Sequence, residues 1–202
     1  LASQVGTVGH PSNQALSATN GTFSGNTTVA GTLGVTGAVT LSTKLATTNL
    51  AAGAIVQIKN FQTGAVATGT TVIPADDTIP QKTEGDEFMT LAITPTSSSN
   101  KLKIDVVAQT ANQSANSSNT VALFQDSTTN AIAAALNIKG TAEFVNNITF
   151  THYMTAGTTS ATTFKVRAGS NQSATTTFNG RASGRFFGGV FASSITITEI
   201  SV

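Results

Sequence analysis

The chain has 202 residues, 39% of them hydrophobic, enough for one sizeable core or two small modules. Only 9% are charged, well below the roughly 25% of an average soluble chain, and 37 Thr, 19 Ser and 15 Asn supply the polarity instead. With 18 Gly, one Tyr and no Trp, this composition excludes a helical bundle, a doubly wound α/β enzyme and a coiled coil, and points to an all-β chain in which β-branched Thr favours extended backbone.

The net charge of +1 and the wealth of β-branched residues argue against disorder. No apolar run approaches the roughly 18 residues of a spanning helix, so no membrane insertion is expected. Leu1 is not followed by the basic and then apolar pattern of a signal peptide, and since it is not Met, the chain is expected to be a segment of a longer protein or a processed product. Without cysteine there are no disulfides and no thiolate chemistry. The ten cations are scattered singly, which gives no nucleic-acid patch.

In chain order, residues 1–20 hold Pro11 and small polar side chains and read as an attachment segment. Residues 21–50 carry a hexapeptide register. Gly25, Gly31 and Gly37 recur every six residues, as do Phe23, Val29, Val35 and Leu41, while Leu33, Val39 and Leu45 form a second apolar row. Six is a multiple of the strand period of two, so each row keeps one face of an extended ribbon. A lone ribbon cannot bury either row, which predicts a shaft of identical chains wound side by side, with Phe23, Val29, Leu33, Val35, Val39, Leu41 and Leu45 as its core. The alternative is a flexible Gly/Thr linker.

Residues 51–202 form the second part. Strands are predicted at 54–61, 87–94, 101–109, 119–126, 131–138, 144–154, 161–168, 175–179, 185–191 and 194–201, with a short extra one at 71–73. Leu102, Ile104 and Val106 share one face, and Lys101, Lys103 and Asp105 the other. Ten short strands with polar turns describe a sandwich or jelly roll. If successive strands alternate in direction, both ends of this part lie at one pole, and the connections 62–85, 110–118, 139–143 and 169–174 lie at the other. Polar residues there, Asn112, Asn116, Asn171 and Gln172, are the candidate receptor-facing groups. Phe186, Phe187, Phe191, Ile195 and Ile197 concentrate apolar surface in the last two strands. Phe186 and Phe187 would point to opposite faces of an extended strand, one into the sandwich and one into a subunit interface; the alternative is a bulge at Gly188 and Gly189 that places both in one core.

Chemistry is sparse. The histidines are His10, in the attachment segment, and His152, within a predicted strand, and neither forms a nucleophile–base pair. Asp76, Asp77, Glu84, Asp86 and Glu87 concentrate carboxylates; turn formation and solvation explain them better than a cation site. Paired glycosidase carboxylates are a poor fit without aromatics to line a sugar cleft. No enzymatic activity and no cofactor are expected.

The strings TTVIPADDTIPQKTEGDEFMTLAITPTSSSNKLKIDV (70–106), VALFQDSTTNAIAA (121–134), ITFTHYMTAGTTSATTFKVRAG (148–169) and TFNGRASGRFFGGVFASSITITEI (177–200) resemble a C-terminal domain found in head and tail fibres of tailed bacteriophages. GNTTVAGTLGVTGAVTLS (25–42) is similar to the shaft repeats that precede such heads. The resemblance implies a homotrimer whose head is a jelly roll of the tumour-necrosis-factor-like and complement-like kind. It also implies a virion appendage assembled in the host cytoplasm, joined to another virion protein through its N-terminal segment and touching a host cell-surface glycan or protein. The alternatives are a capsid-bound head fibre or decoration protein without receptor binding and, less favoured, a polysaccharide-degrading spike.

Overall fold

The computed structural model describes residues 50–202 and, singly, Thr36. The attachment segment 1–20 and all seven shaft-core positions, Phe23, Val29, Leu33, Val35, Val39, Leu41 and Leu45, lie outside the described residues.

The described chain is all-β. Its strands are β1 (Ile55–Thr63), β2 (Ala67–Gly69), β3 (Asp86–Ile93), β4 (Lys101–Asn112), β5 (Ser117–Gln125), β6 (Ala133–Lys139), β7 (Asn146–Thr155), β8 (Thr162–Ser170), β9 (Thr176–Phe178), β10 (Gly180–Arg181), β11 (Gly184–Arg185) and β12 (Ser193–Ile200). Period-2 alternation explains the longest of them. In β4, Leu102, Ile104, Val106 and Ala108 are buried, while Lys101, Lys103, Asp105 and Val107 face outward.

One sheet runs β1-β12-β4-β9-β2, with β7 along the other side of β4, and a second runs β3-β8-β5-β6. Every pairing is antiparallel. Ile104, Val106, Ile148, Ile195 and Ile197 from the first sheet meet Met89, Val121, Leu123, Phe164 and Val166 from the second in one core. Each such buried side chain contributes about 1.5–3 kcal/mol of transfer free energy. A bulge between Glu87 and Met89 turns Phe88 inward, where it stacks on Phe178 with ring centroids 4.7 Å apart.

Both ends of the described chain meet at one pole, the base: Gly53 N donates to Ser201 O at 2.9 Å, and Ala54 N donates to Ser201 Oγ at 3.1 Å. The turns 113–116, 140–145 and 171–175 lie at the opposite, distal pole, as strand parity predicts.

Two stretches depart from expectation. Residues 71–73 are not a strand, and the connection 70–85 does not stay at the distal pole. It crosses the outer face of the second sheet as a strap. Ile73 N donates to Ser170 O at one end, and Ala131 N donates to Pro80 O at the other. Gly169 permits this crossing, since a Cβ there would lie 2.6 Å from Thr71 O. The strap explains why β5 is buried along both faces. Residues 185–191, expected as a strand, instead hold the end of a β10–β11 hairpin and a 3-10 turn at Phe187–Gly189. Phe187 and Gly188 take positive φ (46° and 65°), which breaks extended pairing there.

Candidate binding face

At the distal pole three turns are stitched together by amide side chains. Asn171 Oδ1 accepts from Ser118 N at 2.8 Å, and Gln172 Nε2 donates to Asn116 O at 3.3 Å. Asn116 itself takes the left-handed conformation (φ 49°), which Asn tolerates better than most residues, and its N–H reaches Gly140 O. Asn116, Asn171 and Gln172 therefore share one surface. Asn112 does not belong to it. β4 runs three residues further than its sequence pattern suggests, so the even-numbered Asn112 points inward and is fully buried. Its Nδ2 donates to Asn119 Oδ1 (2.6 Å) and Ser118 O (3.2 Å), and its Oδ1 accepts from Ser114 N and Ser117 Oγ. No capacity is left for a receptor.

Behind this surface the core turns polar. Thr110, Asn112, Asn119, Lys139 and Asn146 all lie buried at the distal end. Lys139 Nζ donates to Asn112 O at 2.7 Å; burial pushes its pKa below the ordinary lysine value, opposed by the negative charge of Glu143. Thr110 Oγ1, Asn119 Nδ2 and Asn146 Oδ1 have no partner among the described residues. Nothing in the sequence pattern announced this, because each residue is an ordinary polar position at a strand end.

Beside the distal pole a groove of about 600 Å3 opens between the strap and the edge strand β6. Its floor combines the outward side chains of two paired strands, Ser118 and Thr120 of β5 opposite Ile138 and Leu136 of β6. Pro74, Asp76, Thr78 and Pro80 of the strap form one wall, and Asn116 and Asn171 close the distal end. Asp76 accepts hydrogen bonds from Thr78 Oγ1 (2.5 Å) and Thr78 N (2.9 Å), which lower its pKa and keep it an anion. Ser118 Oγ and Thr120 Oγ1 are buried without a partner among the described residues. A sequence signal for this groove existed: 131–138 is apolar at both parities, so one face needs a cover beyond the core.

The apolar residues expected at a subunit contact separate into two groups. Ile195 and Ile197 are fully buried in the core of their own subunit and have no surface to offer a partner. Their odd parity on β12 sends them inward. Phe186, Phe187 and Phe191 instead cluster on the surface, with ring centroids 5.8 to 6.3 Å apart. Phe187 is 75% exposed and the neighbouring Val190 83%. Phe186 and Phe187 thus lie in the same cluster, since the turn replaces the strand that would have opposed them. This turn packs against the 63–66 connection so closely that a Cβ on Gly64 would overlap Gly189 O.

The acidic segment does not converge. Asp86 receives Thr71 N and Oγ1, Glu84 receives Gln81 N, and Glu87 pairs with Lys165 at 3.1 Å. His152 lies half-buried within β7, opposite Ile104.

No family model and no curated protein matches the chain. Among solved structures, it is similar to dimeric latent PorU from Porphyromonas gingivalis, at 9% identity and a TM-score of 0.37 over 75% of this chain. It is also similar to the enzymatically active domain of tailspike protein 4 of bacteriophage CBA120, at 15% identity and a TM-score of 0.25 over 61% of this chain. The chain spans 14% of the first structure and 19% of the second.

Proposed function

We propose that this chain is a bacteriophage fibre protein whose C-terminal part is a trimeric jelly-roll head, held out on a repeat shaft to touch a host surface. The observation that carries this is polarity of layout. Gly53 and Ser201 meet at the base, where the preceding repeat would join, while the Asn-rich turns lie at the far pole. The strand order β1-β12-β4-β7 facing β3-β8-β5-β6 supports a jelly roll, because every connection among these eight strands except β5–β6 passes from one sheet to the other. The fibre assignment itself rests on the sequence strings quoted above.

Two surfaces support self-association. One is the Phe186, Phe187, Val190 and Phe191 cluster, an apolar patch of the kind that marks interfaces. The other is the outer face of the first sheet, where Thr149, Thr151, Thr196 and Thr198 surround a Lys103–Asp105 ion pair of 2.6 Å that neutralises its own charge. A trimer multiplies weak contacts through effective concentration.

The protein binds and does not cleave. Asp86, Asp105, Asp126 and Glu199 are each held by structural hydrogen bonds. Incubation with capsular polysaccharide is expected to leave polymer length unchanged.

Native mass measurement at micromolar concentration is expected to give three chains per particle. A monomer at that concentration would overturn both shaft and head assembly. Cryo-electron microscopy of intact virions is expected to show the head distal and residues 1–20 at the particle; density lying flat on the capsid would favour decoration instead.

A further inference from the structure

The geometry points to the groove between the strap and β6 as a binding site for a neutral saccharide. This rests on the adhesive reading above and names the ligand class and the place where it binds.

Three features of the groove select that class. Its floor is amphipathic in strips: Ala134, Leu136 and Ile138 present aliphatic surface along β6, and the hydroxyl-bearing Ser118 and Thr120 line the paired β5 with their oxygens buried just beneath the groove surface. A pyranose ring is amphipathic in the same sense, with one C–H face and a rim of hydroxyls. Second, Ser118 and Thr120 are only 3% and 5% exposed, and their hydroxyls have no partner among the described residues. Buried polar groups are ordinarily paired, and a hydroxyl can both donate and accept, which is what a sugar hydroxyl requires. Third, the formal charge lining the groove is the carboxylate of Asp76, with Asp77 next to it on the strap. An acidic sugar would meet like charge without a compensating cation on the wall. The volume of about 600 Å3 falls in the range of small-ligand sites.

The full chain is titrated with N,N′-diacetylchitobiose and cellobiose as neutral probes and 3′-sialyllactose as the acidic one, read by saturation-transfer difference NMR. At least one neutral probe is expected to bind saturably in the millimolar range, and sialyllactose is not. Ala134→Arg, which places a long side chain over the floor from an exposed edge position, is expected to abolish the signal. The double variant Ser118→Ala with Thr120→Val is expected to weaken binding at least tenfold while its Tm stays equal or rises, since hydroxyls without partners contribute nothing to folding. Asp76→Asn is expected to admit sialyllactose.

No saturable binding of either neutral probe, equal binding of sialyllactose, or unchanged binding by Ala134→Arg would overturn the assignment. Attachment of fluorescent protein to a panel of bacterial strains separates this from the adhesive reading. Attachment that survives Ala134→Arg discards the groove and keeps adhesion. Saccharide binding by a protein that attaches to no strain keeps the groove and discards adhesion.

Discussion

The two poles of the sandwich treat buried polar groups in opposite ways. At the base, Glu199 is fully buried and four donors are directed at it: Gln57 Nε2 at 2.6 Å, Asn100 Nδ2 at 2.6 Å, and Thr96 N and Oγ1 each at 2.8 Å. Burial raises the pKa of this carboxyl, but hydrogen bonds from Gln57, Asn100 and Thr96 outweigh that and hold it below its ordinary value. At the distal pole the buried cation Lys139 has one carbonyl partner among the described residues, and although Asn112 is satisfied, Thr110 Oγ1, Asn119 Nδ2 and Asn146 Oδ1 go unpaired among them. A satisfied network fixes geometry; an unsatisfied one leaves free energy for something else to recover. The base ties the chain ends together, and the unsatisfied distal region is where the proposed ligand would recover free energy.

The largest expected effect is at the base. Glu199→Leu strands four donors around an apolar side chain and is expected to cost about 3–5 kcal/mol in chemical denaturation. The same site sets an acid limit. Because its folded pKa lies below the ordinary 4.5, Glu199 contributes fully above that value and loses its contribution as pH falls through the lowered one. The stability gap between wild type and Glu199→Gln should therefore shrink on acidification; a gap that widens would place the network elsewhere.

Next is Ile197→Ala, expected to cost about 2–5 kcal/mol as a cavity in the core, with the mass of the assembly unchanged. A loss of trimer without loss of subunit stability would return Ile197 to the interface.

Lys139→Met is expected to have the opposite sign to the base variant. Removing a poorly compensated buried ammonium should stabilise by about 1 kcal/mol at neutral pH, and Asn112 O still accepts from Glu143 N. In the wild type the unfolded chain holds its proton longer than the folded one. Stability should accordingly rise with pH from the lowered pKa up to the ordinary 10.5, a rise that the Met variant lacks. Destabilisation by Lys139→Met would mean that both poles are structural.

Smallest for the subunit itself is Phe187→Ser, expected within about 0.5 kcal/mol because the ring is exposed. Native mass measurement should nevertheless show weaker assembly.

The strands at 101–109 and 194–201 were legible because alternation is strict through Leu102, Ile104 and Val106 and through Ile195 and Ile197, although the inward face of the second also carries Glu199. Residues 185–191 misled for the same reason: an apolar run with two consecutive Phe satisfies a strand pattern, while the positive φ of Phe187 and Gly188 leaves only the Gly pair as a trace. The β10–β11 hairpin was harder still, since its turn places Ala182 and Ser183 at positive φ (49° and 62°) without the Asn-Gly signature that usually marks such turns. Strand parity placed Asn116, Asn171 and Gln172 at the distal pole, where the structure has them. Asn112 failed because strand length decides parity at a strand end, and β4 proved longer than its charged alternation.

The sequence by itself determined that the chain is all-β, where most of its long strands lie, and that Leu102, Ile104 and Val106 share one face. These follow from composition and a two-residue period, both local. Only the tertiary structure decided that the strap covers β5, that the Ser118 and Thr120 hydroxyls have no partner among the described residues, and that Glu199 finds Thr96 across 103 positions of sequence while Lys139 finds one carbonyl among those residues. Hydrogen-bond satisfaction depends on neighbours brought together through space, and no local pattern encodes which of them arrive.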